Sequence, residues 1–132
     1  MAKPHATLLA EFQANQGAPL VSIRNVEAQL AVAFPAEYVE FLQQANGGEG
    51  PVGAESYVIL WPVDELVERN EVYKVDDEYA PGLTFIGTDG GNEVFAIRRT
   101  DNHFVRAPLI GMAPDVVDDT GSTLEEFLRS FT

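Results

Sequence analysis

A short run of apolar residues near the start of the chain predicts the first helix. Leu8, Leu9 and Phe12 lie at helical spacing and form one apolar face. Gly17 and Pro19 follow, and both residue types end helices, because glycine is too flexible and proline lacks a backbone N–H. The pattern therefore predicts a short helix that ends at Gly17.

A second helix is predicted to begin at Ser22, whose side chain is suited to cap exposed backbone N–H groups. Pro35 should end it, because a proline ring clashes with the preceding helical turn. The apolar positions recur every three or four residues, and polar residues occupy the other side. They are Ile23, Val26, Leu30 and Phe34.

The third predicted helix starts at Pro35, since the fixed φ of proline suits a first helical turn. Asn46, Gly47 and Gly48 should end this helix, because they tolerate the left-handed conformation that terminates helices. One face is apolar at i, i+3, i+4 and i+7 and is expected to be buried. It consists of Tyr38, Phe41, Leu42 and Ala45.

The middle of the chain has the composition of β-strands. Tyr57–Trp61 is β-branched or aromatic and precedes Pro62, which predicts a strand. Asp64 is expected to cap a short helix after it, with Leu66, Val67 and Tyr73 as apolar residues. Turns rich in glycine, aspartate and asparagine then separate three strands, which predicts an antiparallel meander. These strands are Leu83–Ile86, Val94–Ile97 and His103–Ile110.

The last helix begins with a capping-box pattern, in which Ser122 and Glu125 would satisfy each other's backbone N–H groups. Its apolar residues are Leu124, Phe127, Leu128 and Phe131. The order helices, strands, helix excludes an alternating βαβ arrangement. We therefore predict an α+β fold, in which residues 1–132 form a single domain with an antiparallel or mixed sheet, flanked by N-terminal helices and a C-terminal helix.

The chain is strongly acidic, with 21 Asp and Glu residues against 8 Lys and Arg residues, which gives a net charge of −13. Binding to nucleic acid depends on cations that neutralise phosphates, and anionic lipid headgroups also attract basic segments. We therefore expect no direct nucleic-acid partner and no membrane partner. Most of the excess charge lies between Glu37 and Glu93.

The chain contains no cysteine, which excludes a disulfide framework, a thiolate nucleophile and a cysteine-based zinc site. No apolar run approaches the ~18 residues that a membrane span needs, and the start lacks the pattern of a signal peptide. We therefore expect a cytoplasmic protein.

Patterns that indicate catalysis or metal binding are weak. His5 and His103 are too isolated for a typical metal site, although a His103–carboxylate pair stays an alternative. The adjacent acids at 76–78 and 118–119 lack the fixed separation that carboxylate catalysis needs. We therefore predict no catalytic residue, no cofactor and no metal, and a small carboxylate-dependent hydrolase is the least favoured function.

The segment from Phe34 to Gly48 resembles the hallmark of the SUKH superfamily, the Smi/Knr-like domains. The shared pattern is an apolar residue with proline, an acid with an aromatic residue, Phe-Leu, and a closing Asn-Gly-Gly. Weaker agreement extends to the helix that carries Glu27, to Phe85–Ile97 and to the last helix. The resemblance implies an architectural role for the matching positions, which are Pro35, Tyr38, Phe41, Leu42, Asn46, Gly47 and Gly48.

The resemblance also implies a non-enzymatic domain, of the kind that bacteria use as immunity proteins against toxins and fungi use as regulatory scaffolds. We therefore expect a protein partner, either a cognate toxin domain or the target of a general regulatory module. An acidic surface would suit a basic toxin such as a nuclease, and the alternative is that the acids only maintain solubility. The predicted partner surface comprises Asp64, Glu65, Glu68, Glu71, Asp76, Asp77 and Glu78.

Overall fold

The computed structural model describes residues 12–52, 56–72, 82–112 and 116–131. Seven strands in these ranges form one antiparallel sheet, in which each strand pairs with its neighbours in the chain, and this confirms the predicted α+β fold. The strands are β1 (Gln13–Gln16), β2 (Ala45–Val52), β3 (Ser56–Leu60), β4 (Leu83–Thr88), β5 (Glu93–Arg98), β6 (His103–Pro108) and β7 (Asp118–Gly121). The helices are α1 (Leu20–Leu30), α2 (Ala36–Gln44), α3 (Leu66–Val72) and α4 (Leu124–Arg129).

The first predicted helix is wrong where the structure describes it. Leu8 and Leu9 lie outside the described residues, and Gln13–Gln16 forms the edge strand β1. All four residues of β1 are exposed and have no apolar face, so the segment has nothing to bury as a helix. Pairing with β2 satisfies its backbone instead, and Gln13 lies opposite Glu49.

Helix α1 differs from its prediction at both ends. Pro19 precedes its first residue and accepts a hydrogen bond from the Ser22 N–H, so Ser22 lies inside the first turn and is not the N-cap. Ala31 adopts a left-handed conformation with φ of 56°, which ends the helix before Phe34. The buried carboxylate of Glu27 accepts a hydrogen bond of 2.7 Å from the Phe34 N–H and thereby fixes the turn to α2.

The Asn46-Gly47-Gly48 segment is part of β2, so its prediction as a helix C-cap is wrong. Pro35 precedes α2, and Ala45 is already extended with φ of −147°. Gly47 and Gly48 have positive φ, and a Cβ at Gly47 would lie 2.3 Å from the Leu60 carbonyl oxygen. The glycines are required because the neighbouring strand approaches too closely for a side chain.

Strands β3 and β4 pair over a short distance. The register joins Ile59 with Thr88 and Leu60 with Gly87, and the Trp61 N–H donates to the Ile86 carbonyl at 2.9 Å. The chain then enters a 3₁₀ turn, Val63–Glu65, and continues into α3.

Asp64 lies inside the 3₁₀ turn that follows Pro62 and is not the helix cap predicted for it. The apolar residues predicted for this helix lie on both sides of Val72, its last described residue. Leu66 is buried, whereas Tyr73 lies outside the described residues.

Strands β4, β5 and β6 confirm the predicted meander, whereas β7 was not predicted. The last helix is capped by Thr123 and not by Ser122. The Thr123 hydroxyl accepts from the Glu126 N–H at 3.1 Å, and the Glu126 carboxylate accepts from the Ser122 N–H at 3.0 Å. The N-cap and its acidic partner therefore each lie one residue later than predicted, and the carboxylate accepts from the N–H of the residue before the N-cap.

Aromatic side chains from α2, α4, β5 and β6 pack together in the core. Phe127 of α4 lies 5.2 Å from Phe95 of β5 and 5.7 Å from Phe104 of β6, measured between ring centroids. Tyr38 of α2 contacts Phe104 from 6.4 Å, so both helices pack on the same part of the sheet. Among the described residues, the Tyr38 hydroxyl has no hydrogen-bond partner, and burial raises its pKa.

Candidate functional site

A groove of about 930 Å³ lies along β1, β2 and β3 and is bordered by the 3₁₀ turn and α3. The sheet register places Gln13, Glu49, Ile59 and Thr88 side by side on four adjacent strands. Directly paired residues point to the same face of a sheet, so this row displays its side chains together. All four residues line the groove.

One wall of the groove contains a stacked cation. The Arg69 guanidinium lies 5.3 Å from the centre of the Trp61 ring, and Trp61 is 3% exposed. Glu65 accepts two hydrogen bonds from Arg69, at 3.0 Å and 3.2 Å. This wall therefore binds a guanidinium by an aromatic face and a carboxylate at once.

The other charged group of the groove is the exposed carboxylate of Glu49. The Tyr57 hydroxyl donates a hydrogen bond of 2.7 Å to Glu49 Oε2, and this bond raises the pKa of Tyr57. Tyr57 is 43% exposed and lies on the strand opposite Pro51. A carboxylate and an aromatic ring therefore lie side by side here, as the Glu65 carboxylate and the Trp61 ring do at Arg69.

His103 belongs to a second polar cluster, away from the groove. Its Nδ1 lies 2.7 Å from Asp119 Oδ2, and one ligand atom each from Asp101, His103 and Asp119 lies within 4.8 Å of the others. Arg98 donates to Asp101 at 2.8 Å and to Asp119 at 2.5 Å. The guanidinium thus already supplies the cation that these carboxylates need, and the cluster joins the β5–β6 turn to β7.

The same hydrogen bonds set the acidity of the two carboxyl groups. The bond from Arg98 lowers the pKa of Asp101 to about 2. Burial raises the pKa of Asp119, but hydrogen bonds from His103, Gly121 and Arg98 outweigh it, and the pKa is lowered. Both acids are therefore ionised and paired at neutral pH. They form an exposed ion-pair cluster, without the opposed carboxylates in a cleft that hydrolysis of a glycosidic bond requires.

A family comparison covers most of the chain. The model of the SMI1/KNR4 family (SUKH-1) matches residues 17–130. The chain belongs to this family. A search of the curated proteins found no match. No helix of this SUKH-1 domain, in the residues that the structure describes, is long and apolar enough to cross a membrane.

The motif residues that suggested the SUKH family lie around the junction of α2 and β2. Tyr38, Phe41 and Leu42 are buried on α2, and Pro35 precedes the helix. Asn46 accepts a hydrogen bond of 2.7 Å from the Val63 N–H, which ties β2 to the 3₁₀ turn. Gly47 and Gly48 follow in β2, and Gly48 reaches the groove. The motif is thus next to the groove without forming its charged walls.

The predicted acidic surface of the SUKH-1 domain is described in part. Asp64, Glu68 and Glu71 are exposed on the 3₁₀ turn and α3, and Glu65 is half-buried in the groove wall. Asp76, Asp77 and Glu78 lie outside the described residues. The sequence patterns do not indicate Glu49, Tyr57 and Arg69 as site residues, because the register that brings Glu49 beside β3 is not visible in the sequence.

The described arginines of the SUKH-1 domain are all engaged within the protein. Arg99 donates to the Leu83 carbonyl at 2.7 Å, and the other five pair with carboxylates. Several acids, by contrast, form no ion pair with any described residue. These acids are Glu37, Glu40, Glu49, Asp64, Glu68, Glu71, Asp89, Asp118 and Glu126. The negative charge at the surface is therefore not compensated locally.

Proposed function

We propose that this protein is a non-enzymatic immunity protein, which binds and neutralises a cognate toxin domain with a basic surface. Membership of the SMI1/KNR4 family is consistent with a toxin-immunity role. The observation that carries the proposal is a set of exposed carboxylates on the 3₁₀ turn and α3, which have no ion-pair partner among the described residues and lie beside an open groove. Asp64, Glu68 and Glu71 are exposed there, and Arg69 is already paired with Glu65.

An acidic surface favours the binding of such a partner in two ways. Long-range attraction raises the rate of encounter, by about 10-fold to 1,000-fold for well-matched charges. Toxins that cleave nucleic acid need basic surfaces to bind phosphates, so a carboxylate-rich inhibitor competes for the same cations. A basic nuclease is therefore the toxin class that we favour. A regulatory interaction module with another basic partner is the alternative, and a toxin gene next to this one would distinguish the two.

The test measures growth and association with the toxin domain encoded beside this gene. Co-expression of the wild-type protein should restore growth of cells that express the toxin. Replacing Glu68 and Glu71 by lysine should slow association at least about 10-fold at low salt, because exposed charges steer encounter. Salt above about 0.15 M should reduce the difference, because it screens charges beyond about 8 Å.

A matched control separates local charge from net charge. Glu40→Lys with Asp118→Lys changes the net charge equally, but on α2 and β7. We expect this variant to associate much faster than the α3 variant. Association rates that respond neither to salt nor to the α3 substitutions would contradict the proposed role of the acids. Unchanged toxicity in the presence of the wild-type protein would contradict the immunity function itself.

A further inference from the structure

We propose that the groove binds an arginine side chain of the partner, beside Glu49 and Tyr57. The inference rests on the proposed function and names the chemistry that the partner must present there. The occupant is a surface segment of the basic partner, with a guanidinium that enters the groove beside β2. Three features of the groove support this choice.

The groove already holds one guanidinium of its own. Arg69 stacks on Trp61 at 5.3 Å and donates two hydrogen bonds to Glu65. Guanidinium is weakly hydrated and planar, which suits it to an aromatic face and a carboxylate together. The walls of this groove therefore have the composition that binds arginine.

The Glu49 side repeats the same pair of groups without a cation among the described residues. Glu49 accepts one hydrogen bond, from the Tyr57 hydroxyl at 2.7 Å, and forms no ion pair with a described residue. An ionised carboxylate has about four acceptor sites, so most of the acceptor sites of Glu49 are open to a bidentate contact with arginine. The exposed ring of Tyr57 offers a face for stacking, and the neighbouring Gln13 offers an amide oxygen.

Charge and size restrict the occupant further. Glu49, Glu65 and Arg69 are the charged residues of the lining, and Arg69 is paired with Glu65, so the net charge of −1 favours a cation over an anion. The volume of about 930 Å³ is within the usual range of ligand sites, about 300–1,000 Å³. Tyrosine, tryptophan and arginine are also the residues that dominate binding energy at protein interfaces.

The test uses a short acetylated peptide amide with two arginines separated by glycine. A second peptide carries citrulline at both positions, which has the same shape and no charge. Trp61 is the only tryptophan of the chain and lines the groove, so its fluorescence reports binding. We expect a saturable change with the arginine peptide and at least about 10-fold weaker binding of the citrulline peptide, since charge-assisted bonds are about twice as strong as neutral ones.

Two variants locate the binding. Glu49→Gln should weaken the affinity for the arginine peptide at least about fivefold. Glu40→Gln on α2 should change the same affinity less than about twofold. Melting curves confirm that both variants fold. Equal binding of the two peptides would overturn the proposal, and so would equal weakening by Glu49→Gln and Glu40→Gln, which would indicate diffuse attraction.

Assays with the toxin domain separate this inference from the proposed function. If the wild-type protein neutralises the toxin and Glu49→Gln lowers its affinity about 10-fold or more, both stand. If Glu49→Gln neutralises the toxin as well as the wild type does, the groove is not the partner's site and the immunity function stands. If the wild-type protein fails to neutralise the toxin while peptide binding depends on Glu49, the function is overturned and the arginine site stands.

Discussion

At the scale of single residues, Asn70 shows how one side chain completes the sheet. Beyond Trp61 the chain leaves β3, so β3 no longer runs beside Phe85 of β4, which pairs with Ala96 of β5 on its other side. The Asn70 carboxamide takes that place, because Oδ1 accepts from the Phe85 N–H at 2.9 Å and Nδ2 donates to the Phe85 carbonyl at 3.1 Å. Nδ2 also donates to the Leu66 carbonyl at 2.7 Å, so both the oxygen and the nitrogen of the carboxamide are hydrogen-bonded.

Asn70→Asp tests this role, because the change keeps the shape and removes both donated hydrogen bonds. The Phe85 and Leu66 carbonyls would then face a carboxylate in a position that is 8% exposed. We expect a loss of about 3 kcal/mol in the free energy of unfolding at pH 7, from urea denaturation. Asn25→Asp on the exposed side of α1 is the control and should change stability by less than about 0.5 kcal/mol.

Asn70 was not predictable from the sequence, whereas the buried stripe of α2 partly was. Tyr38, Phe41 and Leu42 recur at i, i+3 and i+4, and periodicity of apolar residues is a signal that the chain carries locally. A single polar residue in a short helix has no such periodicity. Its importance depends on a strand that lies fifteen positions away in sequence.

At the scale of elements, α4 depends on its first turn. The Thr123 hydroxyl satisfies the Glu126 N–H, and the Glu37 carboxylate of α2 accepts from the Leu124 N–H. Two of the exposed N–H groups at this helix end are therefore satisfied by side chains from different parts of the chain.

Thr123→Ala should lower the free energy of unfolding by about 1 kcal/mol, through loss of the N-cap. Ser122→Ala is the matched control, because its hydroxyl contacts only the Glu126 carboxylate and caps no backbone group. We expect it to cost less than about 0.5 kcal/mol. Thermal melts of both variants measure the difference, and a larger loss for Ser122→Ala would mean that the cap is assigned to the wrong residue.

The ion-pair cluster at β7 should make stability depend on pH. The pKa of Asp101 is lowered from 3.8 to about 2 in the folded protein, and that of Asp119 is also lowered, while Arg98 and His103 face both acids. A lowered folded pKa gives stability above the unfolded pKa, which is lost as pH falls through the folded one. The contribution is therefore present above about pH 4 and disappears toward about pH 2.

Asp101→Asn should lower the urea midpoint relative to wild type at pH 5, and the two midpoints should converge between about pH 4 and pH 2. The control is Asp118→Asn, since Asp118 forms no ion pair with a described residue. A difference between wild type and Asp101→Asn that stays constant down to about pH 2 would contradict the role of ionisation.

The elements that sequence patterns failed to predict are three strands. β1, β2 and β7 have the sequences QANQ, ANGGEGPV and DDTG, which contain few residues with high β-propensity. Their strand conformation comes from pairing with the next strand in the sheet. β4, β5 and β6 have apolar β-branched and aromatic residues, and a local pattern was sufficient for them.

At the scale of the whole molecule, excess negative charge opposes the compact state. The net charge is −13, and the described arginines are already engaged. Carboxylates that repel each other destabilise a folded chain more than an expanded one. The sequence predicted this acidity but not the groove, because the groove requires the register of three strands and the position of α3.

Stability should therefore rise between about 10 mM and 150 mM sodium chloride, because the Debye length shortens from about 30 Å to about 8 Å. Urea midpoints at fixed pH 7 measure the increase. The variant with Glu68→Lys and Glu71→Lys carries less net charge and should show a smaller increase. A fall in stability with salt would mean that attractive ion pairs outweigh the general repulsion.

The groove has a consequence for how this protein can diversify. Its charged and aromatic walls, Glu49, Tyr57 and Arg69, are partly or fully exposed, whereas the aromatic core is made by other residues. Exposed substitutions usually change stability by less than about 0.5 kcal/mol. A library randomised at these three positions should therefore remain mostly folded by circular dichroism. Selection on the proposed binding face and selection on the fold would then act on separate residues, so that new partners become accessible without a new architecture.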